Sequence, residues 1–154
     1  TSASLKARLV DVFAGGSSLE ASLKLALEAI VNGIEPAERG AVLLLNEDHT
    51  RLEFHAHFPE YKPAFSSTLA INTLNSGSAF IWKRDTDAAA SSSIKRLNIQ
   101  GGLYAPLGFG ANSLGVVCVD STHSSAQFSG DHMSDFVSMA KVLSVSVCAS
   151  KEDH

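Results

Sequence analysis

Two cysteines, Cys118 and Cys148, are all that 154 residues contain, too few and too far apart for the disulfide framework of a small secreted domain. Each lies in an apolar run, the setting of a reduced, buried thiol, so a reducing, cytoplasmic compartment is expected. Long hydrophobic runs are missing too. Nothing approaches the roughly 20 apolar residues that cross a bilayer, and Thr1 to Ala7 lack the basic and apolar regions of a signal peptide, so no membrane insertion is expected. Positive charge is scarce: 12 Lys and Arg stand against 16 Asp and Glu, a net charge of -4, without the basic cluster that grips nucleic acid. Nucleic acid is therefore not expected as a partner. Hydrophobic residues at 45% and charged ones at 18% are globular proportions, which argue against disorder. A chain of this length supplies one core, so residues 1–154 are read as a single domain. Starting at Thr1 rather than Met, and ending in Lys151-Glu152-Asp153-His154, it is expected to be a piece of a larger protein.

Periodicity sets out the elements. Leu5, Leu9, Val12 and Phe13 fit one face of a short helix that stops at Gly15-Gly16. After Ser17 and Ser18, either able to cap a helix, Leu19, Leu23, Leu27, Ile30, Val31 and Ile34 recur at three- and four-residue steps until Pro36 forbids continuation. Ala41 to Leu45 is an unbroken apolar run, predicted as a strand buried on both faces. Leu52, Phe54, Ala56 and Phe58 alternate with polar residues, predicting a half-buried strand joined to the first by the turn at Glu47 to Thr50. Pro59 to Ser67 reads as a covering loop, Ile71 to Asn75 as one helical turn before Gly77, and Ala79 to Trp82 as a short strand. Asp85 to Ser93 is a polar loop, followed by a turn at Ile94 to Leu97. Gly102 to Phe109 and Leu114 to Val119 form a second hairpin. Ser129 then caps a last helix carrying Met133, Phe136, Val137, Ala140, Leu143 and Val147.

Three segments carry a family resemblance: Ile99-Gln100-Gly101-Gly102-Leu103-Tyr104-Ala105-Pro106-Leu107 with Leu114-Gly115-Val116-Val117-Cys118-Val119-Asp120, then Phe128-Ser129-Gly130-Asp131, and Arg39-Gly40-Ala41-Val42-Leu43-Leu44-Leu45. In order and spacing the chain resembles the GAF family, small-molecule sensing domains of phosphodiesterases, phytochromes, cyclases and bacterial regulators. The resemblance implies an α+β fold: an antiparallel sheet of about six strands, first and last adjacent, with N- and C-terminal helices on one face and loops and short helices roofing the other. It also implies a regulatory sensor domain of a bacterial multidomain signalling protein, relaying the state of a small ligand through its terminal helices to an attached output domain. A homodimer formed through those helices is expected.

The pocket implied by the resemblance is expected at Phe80, Trp82, Ile94 and Tyr104, with Ser91, Ser92 and Ser93 as loop donors, since small-ligand sites pair apolar walls with a few polar groups. Known subfamily chemistries fit poorly. The cyclic-nucleotide signature of the phosphodiesterase domains is broken, with His132 and Met133 where an Asp and a Glu would stand. No cysteine lies between Thr1 and Val117 to attach a bilin covalently. The free methionine sulfoxide reductases of this fold need a loop cysteine and a second thiol to resolve it, a pair that Cys118 and Cys148 do not supply, so no enzyme is expected. His55 and His57 have the same-face spacing of a strand, with His49 as a conceivable third metal ligand, but the reading preferred is a solvent face and no metal. The ligand, and any cofactor, remain unnamed by the sequence.

Overall fold

The computed structural model describes residues 7, 18–58, 67–83, 99–109, 112–123 and 127–152; apart from Ala7, which is helical, the expected helix at Leu5 to Phe13 lies outside them, as do the loops at Pro59 to Ser66 and Asp85 to Leu97. Helix α1 (Leu19–Gly33) begins where the Ser18 hydroxyl accepts the Ala21 N–H at 3.3 Å and ends at Ile34, whose extended backbone leads to Pro36. Its three- and four-residue spacing places Leu23, Ala26, Leu27, Ile30 and Val31 on one buried face.

Among the described residues that face lies on a sheet of five strands: β1 (Arg39–Leu45), β2 (Leu52–Phe58), β3 (Phe80–Lys83), β4 (Gly101–Phe109) and β5 (Asn112–Ser121). The order is β2-β1-β5-β4-β3 with every neighbour antiparallel, so first and last strands are adjacent as expected. Helix α2 (Ser67–Ser76) lies between β2 and β3 in the chain, and α3 (Gly130–Glu152) closes it. Ten residues of α2 stand where a single turn is expected. Its Ser, Thr and Asn residues are poor helix formers, and burial of Leu69, Ala70 and Thr73 compensates, as tertiary packing does for most short helices. Gly77, at a φ of 66°, ends it with its N–H on the Thr73 carbonyl at 3.1 Å.

The first residues of α3 close a reciprocal cap: His132 N–H donates to Ser129 Oγ at 3.2 Å, and Ser129 N–H donates to His132 Nδ1 at 3.0 Å. Histidine takes the place of the usual Glu or Gln in this box. Farther on, Phe136, Met139, Ala140, Leu143 and Val147 pack on the same sheet face as α1, with Met139 fully buried and Val137 only half so.

Two cores result, one per sheet face. Leu27, Val42, Leu103, Val117 and Phe136 belong to the larger, under α1 and α3. Ala41, Leu43, Leu69, Trp82, Tyr104 and Cys118 belong to the smaller, on the α2 side. In β2 the expected alternation fails. Val42 pairs with Ala56 but Leu43 with Phe54, so His55 is an extra residue and the phase of the strand changes there. Leu52 and Phe54 consequently join the smaller core, while Ala56 and Phe58 join the larger.

Gly115 makes the β1–β5 contact possible. A Cβ there would stand 2.0 Å from the Leu43 carbonyl oxygen and 2.8 Å from Leu44 Cα, and backbone cannot yield as a side chain can. Gly115→Ala is expected to cost about 2–3 kcal/mol in urea unfolding, the upper part of the overpacking range. A neutral effect would mean that the two strands do not approach so closely.

Candidate functional site

Register places two rows of side chains across the α2 face of the sheet. One runs Ala41, Cys118, Tyr104, Phe80 over β1, β5, β4 and β3; the next runs Arg39, Asp120, Gly102, Trp82. Phe80 and Tyr104 stack with ring centroids 5.3 Å apart and planes 16° from parallel. Gly102 leaves room for this arrangement, since a Cβ there would meet Tyr104 Cε2 at 2.9 Å and the Val119 carbonyl oxygen at 2.8 Å. Leu69 of α2 and Ile99 cover the rows.

Three of the seven pocket residues expected from sequence are thus brought together: Tyr104 and Trp82, both buried, and Phe80, half-buried. Ser91, Ser92, Ser93 and Ile94 lie outside the described residues. The Tyr104 hydroxyl is buried and has no hydrogen-bond partner among the described residues. Burial pushes its pKa well above the ordinary phenol value, with Asp120 adding to the rise, so Tyr104 stays protonated. Among the described residues this hydroxyl is a donor without an acceptor, an arrangement that costs stability and that native proteins seldom keep without a use.

The charged partners of this row were not among the expected site residues. Asp120 is 2% exposed and accepts a hydrogen bond from Arg39 Nε at 2.5 Å. Burial raises the Asp120 pKa to about 6 and outweighs the opposing pull of the Arg39 guanidinium. An Asp closing an otherwise apolar strand was the only sequence signal for it.

Next to the pair, the Glu38 carboxylate gathers Ser121 Oγ at 2.7 Å, Thr122 N–H at 2.5 Å and Thr122 Oγ1 at 3.0 Å, with His123 Nε2 at 3.3 Å. Burial alone would raise this carboxyl, but the three hydrogen bonds and His123 prevail and hold it below the usual range. The network fixes the end of β5 to the start of β1.

Metal and thiol chemistry find little here. Among the described residues no group of three His, Cys, Asp or Glu is placed to hold a metal. The bulge breaks the same-face spacing assumed for His55 and His57. His55 Nδ1 lies 3.5 Å from Glu20 Oε1 of α1, rather than on a solvent face, and the His57 ring stands edge-on to Phe54 at 5.3 Å. Cys118 lies in the smaller core and Cys148 against the larger, so the sheet separates the two thiols. Burial pushes the Cys118 thiol far above the range in which a thiolate forms.

The sequence matches no family model, and no curated protein matches it. Solved structures do match. The GAF domain of a phosphoenolpyruvate-protein phosphotransferase from Coxiella burnetii superposes with a TM-score of 0.79 at 14% identity, over 99% of this chain and 95% of that one. The phycocyanobilin-bound GAF domain of a cyanobacterial phytochrome gives 0.78 at 13% identity, over 100% and 97%. The free methionine-R-sulfoxide reductase of Neisseria meningitidis, in complex with its substrate, gives 0.75 at 18% identity, over 97% and 90%. At such identities what is shared is architecture, and on that ground this chain has the fold of a GAF domain.

Proposed function

We propose that the chain is a regulatory sensor domain that holds a small molecule on the α2 face of its sheet and relays occupancy through α1 and α3 to an output domain in a cytoplasmic, bacterial signalling protein. The observation that carries this reading is the Tyr104 hydroxyl, buried beside Trp82 and Phe80 without an acceptor among the described residues. The route of relay is physical contact: α3, about 35 Å long at 1.5 Å per residue, packs along β4, and its Ser144 hydroxyl accepts the Gly108 N–H at 3.0 Å. Movement of Tyr104 on β4 is therefore felt by α3. Separation of the two thiols by the sheet supports a binding role over the reductase chemistry of the Neisseria structure.

A thermal-shift screen with nucleotides, amino acids and metal ions tests the proposal. A ligand at a hundred times its Kd should raise Tm by about 5–10 °C, and Tyr104→Phe should shrink that rise while leaving the unliganded Tm within a few degrees. A folded domain that no class shifts, or a shift unaltered in Tyr104→Phe, overturns it.

Self-association without a ligand is a second reading, favoured by Leu25 on α1 and Val145 on α3, which are 49% and 57% exposed. Of the stripe Met133 to Val147 expected at the interface, Phe136, Ala140, Leu143 and Val147 are buried on the sheet, and Leu5 to Phe13 falls almost wholly outside the described residues. Light scattering of Val145→Lys against the parent chain tests the homodimer. Equal masses would remove Val145 from any interface.

A further inference from the structure

Away from the aromatic row, between the C-terminal half of α2 and the β1–β2 turn, lies a separate cavity of about 550 Å³, within the usual range for small-ligand sites. Leu43 and Leu52 form its floor, and Ile71 and Leu74 of α2 its wall. Ile71 is 49% exposed and Leu74 half-buried, so apolar surface on both stands open to solvent rather than packed.

Thr50 and Arg51 stand on the rim of this cavity, held by a turn with a fixed hydrogen-bond pattern. Asn46 Oδ1 accepts the backbone N–H groups of Thr50 at 2.8 Å and Arg51 at 3.3 Å, and its Nδ2 donates to Thr50 Oγ1 at 2.9 Å. Because that bond occupies a lone pair of the Thr50 oxygen, its own proton is left to donate outward. Arg51 engages Glu53 through Nη2 alone at 3.3 Å, in an exposed pair of the kind that holds weakly, so other guanidinium N–H groups can turn to a ligand. No carboxylate among the described residues lines the cavity; Glu47 and Asp48 are exposed on the turn and do not reach it. The rim offers donors and a positive charge over an aliphatic floor, which is complementary to an acceptor-only, negatively charged head on an apolar tail.

We propose that this cavity binds a small amphipathic carboxylate, its tail against Leu43, Leu52, Ile71 and Leu74 and its head held by the Arg51 guanidinium and the Thr50 hydroxyl. The site shares no residue with the Tyr104 row and stands or falls apart from it.

Octanoate is the probe, with octanamide as its uncharged counterpart, titrated into the 154-residue chain while the methyl signals of Leu43, Leu52, Ile71 and Leu74 are followed by NMR. Octanoate should bind, and octanamide about tenfold more weakly. Arg51→Gln should weaken octanoate about tenfold and erase the difference between the two probes, as expected for the loss of one charge-assisted contact. Arg51 is a surface residue, so this variant keeps the fold; Leu74→Trp, which fills the cavity, should abolish the methyl shifts. Tyr104→Phe should leave octanoate binding unchanged. The proposal is overturned if octanoate at millimolar concentration moves none of these methyls, if octanamide binds as well as octanoate, or if Tyr104→Phe removes binding while Leu74→Trp does not.

Discussion

Arg39→Met is expected to lower stability by about 3–5 kcal/mol at pH 7.5, because it strands the Asp120 carboxylate in the sheet without a counter-charge. The loss should shrink at pH 5. Asp120 has a folded-state pKa of about 6 against an ordinary 3.8, so its folded form prefers the proton. A raised acid contributes stability that is fully present below the unfolded pKa and is lost as pH rises through the folded one, here on the order of 3 kcal/mol between pH 4 and 6. Removing Arg39 takes away both the positive charge and the hydrogen bond that favour the ionised carboxylate, and the Asp120 pKa then climbs further. The variant therefore falls behind the parent most steeply above neutrality, where Asp120 must ionise or hold a proton at a cost. Glu38 works in the opposite sense, being held below its ordinary value, so in the pH profile of the parent these two contributions oppose each other. Urea melts of parent and variant at pH 5 and 7.5 isolate the Asp120 part, since Glu38 is common to both. A pH-independent deficit would mean that Arg39 matters for packing and not for charge. Replacing both residues, Arg39→Met with Asp120→Leu, should recover most of the loss, because no charge is then left buried.

Leu27→Ala should cost about 3–5 kcal/mol, and its interest lies in what Gly40 does to that number. Leu27 is fully buried, and a Cβ at position 40 would stand 2.8 Å from its Cδ1 and 3.0 Å from Val31 Cγ2. The methyl of Leu27 thus occupies the notch that the missing Gly40 side chain leaves, which is how α1 comes so close to β1. Gly40→Ala alone should destabilise by forcing Leu27 aside. Combined with Leu27→Ala, the new methyl partly fills the void, so the double variant should be more stable than the sum of the two losses by about 1–2 kcal/mol. Strict additivity in such a cycle would show that the two groups do not touch. The Cys118 carbonyl oxygen, 3.1 Å from the same Cβ, limits how complete the rescue can be.

Where a periodic signal was strong and local, residue order alone located the element: α1 with its Ser18 cap, β1, the β4–β5 hairpin and the Ser129 cap of α3 all stand within a residue or two of expectation. Two failures have distinct causes. Helix α2 is made of residues with weak helical preference, and what stabilises it is burial of Leu69 and Thr73 on a sheet assembled from distant segments. The face change at His55 depends on register with β1, and an uninterrupted apolar-polar alternation carries no mark of it. The site was legible in part for a similar reason. Aromatic residues at Phe80, Trp82 and Tyr104 stand out in a chain with few of them, whereas the Arg39–Asp120 contact joins residues 81 apart and exists only because β1 and β5 are neighbours.

The extra residue in β2 also bears on how the molecule behaves at high concentration. Among the described residues β2 forms one border of the five-stranded sheet, and a border strand presents amide and carbonyl groups to which a strand of another molecule can add. The bulge divides β2 into Leu52–Phe54 and Ala56–Phe58, three residues on either side of His55, and a straight incoming strand cannot stay in phase with both. The opposite border, β3, is only four residues long. Neither rim is a good template for runaway strand addition, and deleting His55 to straighten β2 should therefore raise the tendency to form cross-β aggregates, read as thioflavin T fluorescence against the parent chain.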